Sequence, residues 1–373
     1  MSAVQRLFSV QRLRGYAALA VVVMHARLMA VDAAVRSGTA DSVSVLPLFG
    51  AWGVDLFFVI SGFVMTQVVA NARATASYEA GAGGFLLRRI GRVVPLYWIA
   101  TLAMAAAIAA LPASSRESTL APWHLLASLL FVPAVNWNGE WLPVLVVGWT
   151  LTFEMLFYAV IAIALRWRWK MPVEGAAAVL AVGALAGLAG RWPMPWGVFT
   201  DPLLLEFGLG VGAWWAAQRW SPSRLILWLC IAAAIMVMVA TSTASGLTWR
   251  VGCWGVPSAV LVCLLVVRER QAHGVRAEPV ALRWLDTFML QLGDASYSIY
   301  LFHLFAIKVV ARVAIAAHFT PGLINTLALE ALAIVASAAL GLAVHRLLEA
   351  PMLALTYRAL GRTARRQVGA AKR

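Results

Sequence analysis

Charged side chains are scarce in this 373-residue chain, at 12% against 62% hydrophobic residues, and the mean hydropathy is +0.82. Soluble domains carry about a quarter charged residues, so the shortage excludes the two or three water-soluble domains that length alone would allow. Cysteine is nearly missing. Cys230, Cys253 and Cys263 all lie in apolar runs and none forms a close pair, which excludes a disulfide framework and a zinc site. A GxSxG elbow, an HExxH helix, a Walker loop and a dinucleotide fingerprint are also absent, so those chemistries have no anchor. Acidic residues are few, 16 against 30 Lys and Arg, giving a net charge of +14. The basic residues nevertheless sit between apolar runs, not on a continuous basic face with stacking aromatics, so no nucleic-acid partner is expected.

What the chain does have is long apolar runs. They fall at roughly 13–33, 48–70, 93–111, 144–165, 173–190, 198–217, 223–241, 251–267, 289–314 and 323–348, with a shorter piece at 122–134 that lies on the surface or re-enters. The expected fold is therefore all-α: a polytopic transmembrane helical bundle of about ten spans, embedded in membrane lipid. Seventeen Trp and 15 Pro fit interfacial anchors and broken helices. With a cytoplasmic N-terminus and alternating spans, the inside segments collect nearly all the Arg and Lys. The outside segments keep only Arg27, Arg36, Arg116, Arg191 and Arg250. Both termini are thus expected in the cytoplasm, with a transmembrane domain over 1–357 and a basic tail over 358–373. The N-terminal stretch reads as the first helix, not as a removed signal peptide, and EAGAGG in the 71–92 loop reads as a hinge.

Ionisable groups inside such spans are costly and become functional candidates. Arg14 and His25 stand 11 residues apart, which returns them to nearly one helix face about 16 Å apart along the axis. The second span opens WGVDLFFVISGF, placing Asp55 in its outer part and Ser61-Gly62 near its centre, where small residues permit close packing or a break. Asp55 suits either a basic partner or a substrate hydroxyl. In WTLTFEMLFY, Glu154 falls at mid-depth with Tyr158 one turn later, and a buried cation such as His25 would balance it. Arg88, Arg89 and Arg92 directly precede the third span; the last two share a helix face, as a multiply charged phosphate would require. LGDASYSIYLFH offers Asp294 and Ser296 as helix-start residues and His303 in mid-span, while Pro351 is expected to stop the last helix just after Glu349. Taken by themselves these residues fit a proton-coupled transporter as readily as an enzyme, although no inverted repeat supports the former.

Six segments in order, LRGYAALAVVVMHA, WGVDLFFVISGFVM, FLLRRIGRVVPLYW, WTLTFEMLFY, LGDASYSIYLFH and the terminal EAP, resemble the membrane acyltransferase-3 family, which includes bacterial O-acetyltransferases of surface polysaccharides. The resemblance runs from about residue 12 to about 351 and implies an O-acyltransferase of the bacterial inner membrane. The donor would be cytoplasmic acyl-CoA, most simply acetyl-CoA, used as a substrate with no bound cofactor. The acceptor would be a hydroxyl on a glycan or lipid-linked sugar. Arg14 and His25 match the family's Arg–His pair, Arg89 and Arg92 its arginine pair, and Glu154 its glutamate. His25 is then the general base and Glu154 orients or charge-balances it, with Asp55 a further catalytic candidate. Arg14, Arg88, Arg89 and Arg92 would hold the CoA phosphates. Ser61, Tyr158, Ser296 and His303 would support, with a backbone break near Ser61-Gly62 as an oxyanion donor. Some family members carry an esterase-like domain that would follow the position where this chain ends. Monomer and homo-oligomer are both left open.

Overall fold

The computed structural model of the chain describes residues 7–36, 49–75, 81–110, 120–136, 139–190, 192–242, 247–272, 280–317 and 322–370. Among them every regular element is helical. This is the expected all-α bundle, and its physical cause is that hydrocarbon cannot hydrogen-bond a backbone, so each apolar run must satisfy its own N–H and C=O groups. Seven helical segments are long and apolar enough to cross a membrane: Phe8–Ala33, Trp52–Ala74, Ala82–Ala110, Val146–Arg166, Val251–Ala272, Ser296–Ala316 and Leu323–Leu360. Two more, Pro172–Leu188 and Arg224–Ala240, have 17 residues each, about the shortest length that spans.

The chain divides into two compact units. The first comprises residues 1–63 and 212–345. Its centre is α1 (Phe8–Arg36), against which α11 (Val256–Ala272), α12 (Val280–Asp294), α13 (Ser296–Ala316) and α14 (Leu323–Val344) pack. Ala17, Ala18, Ala26 and Ala30 are buried on α1, and such small residues let helices approach closely in lipid. Two apolar clusters follow one another along α1. One joins Ala18 and Val22 to Leu292, Ala295 and Ile299; the other joins Ala26 to Ile307, Val310, Leu329 and Ala333. At the α1–α12 crossing a Cβ on Gly293 would overlap the Gln11 carbonyl, so glycine sets how near the two backbones come. The start of α1 is capped from α11: the Glu269 carboxylate accepts from the Phe8 N–H at 2.9 Å, the Ser9 N–H at 2.8 Å and the Ser9 hydroxyl at 2.5 Å. A carboxylate at a helix N-terminus satisfies orphan N–H groups and opposes the positive end of the dipole. This unit also holds the first part of α2 (Trp52–Ala74), α9 (Arg224–Ala240) and the short α10 (Leu247–Arg250).

The second unit comprises residues 64–211 and 346–373. Here α3 (Ala82–Ala110) packs against α4 (Pro122–Leu129), α5 (Trp149–Arg166) and α15 (Ala350–Ala370), and α5 packs against α6 (Pro172–Leu188). Phe157 and Phe207 meet at 4.5 Å between centroids in its core, tilted by 31°, Phe207 lying at the start of α8 (Leu205–Arg219). The eight-residue α4 is too short to cross, as its sequence indicated, and is pinned by α3: the Tyr97 hydroxyl donates to the Ser128 carbonyl and the Trp98 indole to that of Leu129.

Several boundaries differ from the hydropathy reading. The third span begins at Ala82, not at 93, so Arg88, Arg89 and Arg92 lie on the helix itself. Arginine has long aliphatic arms that lie along an apolar surface, and a charge does not end a helix. The expected ninth span is two helices meeting at Ala295, so Asp294 closes α12 and does not start α13. The sixth is broken into α7 (Trp196–Phe199), a 3-10 turn at Pro202–Leu204 and α8. Asp201 and Pro202 start that turn, Asp201 accepting from the Leu203 N–H at 2.9 Å. Pro351 does not stop the last helix. The chain passes through a π turn, His345–Glu349, into α15, where Pro351 occupies the first turn and needs no N–H partner. α15 is helical from Ala350 to Ala370. Of the polar stretches expected between spans, residues 76–80, 112–119, 273–279 and 371–373 lie outside the described residues, and with them Glu79 and Ala80 of the expected hinge.

Candidate functional site

In the first unit, α1 carries Arg14 and His25 on one uninterrupted helix. Arg14 donates from Nε and Nη2 to the Ser296 hydroxyl at 3.2 and 3.1 Å, at the first residue of α13. His25 is half-buried, and its Nδ1 lies 2.9 Å from the Val21 carbonyl and 3.2 Å from Nε2 of His303. His303 is fully buried, its own Nδ1 held at 2.7 Å from the Tyr300 carbonyl and 3.2 Å from that of Ile299. The two imidazoles stand 4.9 Å apart between centroids, tilted by 55°. Val22 and Ala26 flank His25 along α1, and Ile299 and Ile307 flank His303 along α13, so the polar pair sits between the two apolar clusters.

Asp55 is fully buried in the first turn of α2 and meets Arg250 in two parallel hydrogen bonds, 2.8 Å to Oδ1 and 2.9 Å to Oδ2. Arg250 also stacks on Trp254, 5.2 Å from the ring centroid. Arg27, two residues past His25, pairs with Glu330 of α14 at 2.8 Å in a setting nearly as dry. Ser61 is half-buried, but α2 is helical through Ser61-Gly62, so no broken backbone offers oxyanion donors there. The small residues allow close packing without unwinding the helix.

In the second unit, α3 and α5 bring together the arginines and Glu154. The Tyr158 hydroxyl donates to the Glu154 carboxylate one turn back on α5. Phe85 meets the Tyr158 ring edge-on at 6.2 Å, and the Arg89 guanidinium lies 5.9 Å from the centroid of Phe85. Arg89 is buried. Arg92 lies within the electrostatic reach of Glu154, Glu349, Tyr158 and Tyr357, and Arg88 sits over the Tyr357 ring at 5.6 Å. Arg89 and Arg92 thus share a helix face, as their spacing implied.

Sequence reasoning missed Arg250 and Arg27 as partners. Charge distribution places both outside the membrane, and only the depth they share with Asp55 and Glu330 at span ends links them in the sequence. Tyr357 was missed too: it lies beyond Pro351, where the helix was expected to stop.

Fold and side chains together define a multi-pass helical membrane protein with ionisable groups built into its interior. Residues 8–346 match the acyltransferase domain of the acyltransferase-3 family, and the chain belongs to that family. It is similar to the exopolysaccharide production protein ExoZ of Rhizobium meliloti (strain 1021), 37% identical over 319 residues that cover 82% of this chain and 90% of the relative. Acyltransferase MdmB of Streptomyces mycarofaciens is 29% identical over 341 residues, covering 82% and 80%. Nodulation protein 10 of Rhizobium leguminosarum bv. viciae is 26% identical over 316 residues, covering 77% and 80%. No solved structure matches the chain.

Proposed function

We propose that this acyltransferase moves an acyl group, in the simplest case acetyl, from cytoplasmic acyl-CoA to a sugar hydroxyl of a surface or exported polysaccharide, in the bacterial inner membrane. The observation that carries the reading is His25, an imidazole anchored through Nδ1 inside a continuous apolar helix of an acyltransferase-family chain. The similarity to an exopolysaccharide production protein supports a glycan acceptor.

A sugar hydroxyl is a weak nucleophile at neutral pH. A neutral imidazole takes its proton as the oxygen attacks the thioester carbonyl; the C–S bond breaks, and the leaving thiolate recovers that proton as a thiol. Arg88, Arg89 and Arg92 suit the CoA phosphates, because guanidinium binds phosphate oxygens in pairs. Glu154, fixed by Tyr158, and Glu349 balance part of that charge and keep the cluster from repelling itself before the donor arrives.

The test uses purified full-length protein in nanodiscs, acetyl-CoA, and the host's own surface polysaccharide stripped of O-acyl groups with mild alkali. His25→Ala should keep the wild-type unfolding temperature and CoA affinity and lose transfer by about 10²–10⁴-fold, the usual worth of a positioned base. Transfer at the wild-type rate by folded His25→Ala would falsify the assignment.

A further inference from the structure

The histidine pair has a direction, which follows from which atoms can only accept. Carbonyl oxygens accept, so Nδ1 of His303, 2.7 Å from the Tyr300 carbonyl, must carry the proton of the neutral ring. Its Nε2 is then an acceptor. Nδ1 of His25 faces that nitrogen at 3.2 Å and the Val21 carbonyl at 2.9 Å, two acceptors, so it too must carry the proton. Both hydrogen-bond partners of His25 are at Nδ1, which leaves Nε2 without one among the described residues, as the nitrogen that carries the lone pair. The chain of bonds therefore runs from His25 through His303 to the Tyr300 carbonyl.

We propose that His303 is a positioning residue for the transfer: it holds His25 as the Nδ1–H tautomer, basic at Nε2, and shares the charge His25 gains. The inference rests on His25 being the base. When Nε2 takes the hydroxyl proton, the imidazolium lies between two apolar clusters, where an isolated charge is expensive. The Nδ1 proton moves toward Nε2 of His303, and the Tyr300 carbonyl takes up the increased polarity of the second ring. When the thiolate recovers the proton from Nε2 of His25, the Nδ1 proton returns and both rings are neutral. No atom is left over. His303 fills the place that a carboxylate fills in other histidine-based sites, as a neutral acceptor whose own proton is pinned to the backbone.

A buried histidine kept for packing would behave otherwise, and amide substitutions separate the cases. Glutamine places an acceptor oxygen near the position of Nε2; asparagine reaches only as far as Nδ1. In the nanodisc assay His303→Leu and His303→Asn should lower kcat on the order of 10²-fold, within the range a positioned base supplies, with the KM for acetyl-CoA unchanged. His303→Gln should recover to within a few-fold. If the leucine variant does not fold, the glutamine–asparagine comparison per folded molecule decides. Solid-state NMR of ¹⁵N-histidine protein gives a readout independent of turnover: neutral His25 should carry its proton on Nδ1, with a coupling across the hydrogen bond to Nε2 of His303. Glutamine no better than asparagine, leucine at wild-type kcat, or a His25 proton on Nε2 each overturns the proposal. Inactive His25→Ala beside a fully active His303→Leu sinks the pairing alone, whereas a fully active His25→Ala sinks the base assignment beneath it.

Discussion

The carboxylate of Asp55 is fully buried, and its charge is met by the two nitrogens of Arg250 at 2.8 and 2.9 Å. Removing one partner strands the other. Asp55→Leu is expected to destabilise the protein by about 3–5 kcal/mol, and Asp55→Leu with Arg250→Met to recover most of that, because a dry ion pair and an apolar pair of similar volume are close in stability. Thermal unfolding in detergent measures both. Activity of the double variant, normalised to folded protein, then separates structure from chemistry at Asp55: retained turnover makes the pair a scaffold, lost turnover makes the carboxylate part of the reaction. The arginines of α3 call for a different measurement. Arg89→Ala with Arg92→Ala should weaken CoA binding by at least tenfold in calorimetry, since hydrogen bonds to charged groups contribute about 1.5–3 kcal/mol each. Unchanged affinity with reduced turnover would move these residues out of the donor site.

Contacts between helices are governed here by how small the meeting residues are. Gly293 faces the Gln11 carbonyl, and an added methyl has no room. Gly293→Ala should therefore lower stability by about 1–3 kcal/mol, the usual cost of overpacking. Gly212→Ala is the control, with nothing within 4 Å of its added carbon among the described residues, and should be neutral or slightly stabilising. Equal effects at both sites would show that backbone entropy, not contact, sets the outcome. The helices themselves were legible, because apolar runs announce spans. Their ends were not: the apolar run alone starts the third span at 93, although a guanidinium on a long arm is compatible with helix and the helix begins at Ala82. The candidate site can be picked out residue by residue, in that Arg14, His25, Glu154 and the arginines stand out as ionisable groups in apolar surroundings. Their partners were not, since His25 meets His303 across 278 residues and no local period encodes such a pairing.

For the chain as a whole, the distribution of basic residues gives the most general prediction. Single cysteines in a variant lacking Cys230, Cys253 and Cys263 should react with an impermeant maleimide added outside only within 112–143 and the other outward segments. Cysteines near either terminus, or in the 71–92 and 268–288 stretches, should react only after permeabilisation. A terminus labelled from outside would overturn the orientation. The reach of α1 has a further consequence, for biogenesis. Some contacts of its interior groups are made by residues translated long afterwards: Arg14 with Ser296, His25 with His303 and Arg27 with Glu330. At ribosomal speed the delay is on the order of tens of seconds. Throughout that time the Arg27 guanidinium lacks the Glu330 carboxylate and the His25 imidazole lacks His303, in a solvent that tolerates neither charge nor polarity well. Nascent chains released before α13 and α14 emerge should then be bound by membrane insertion chaperones or cleared by quality-control proteases, while longer ones mature.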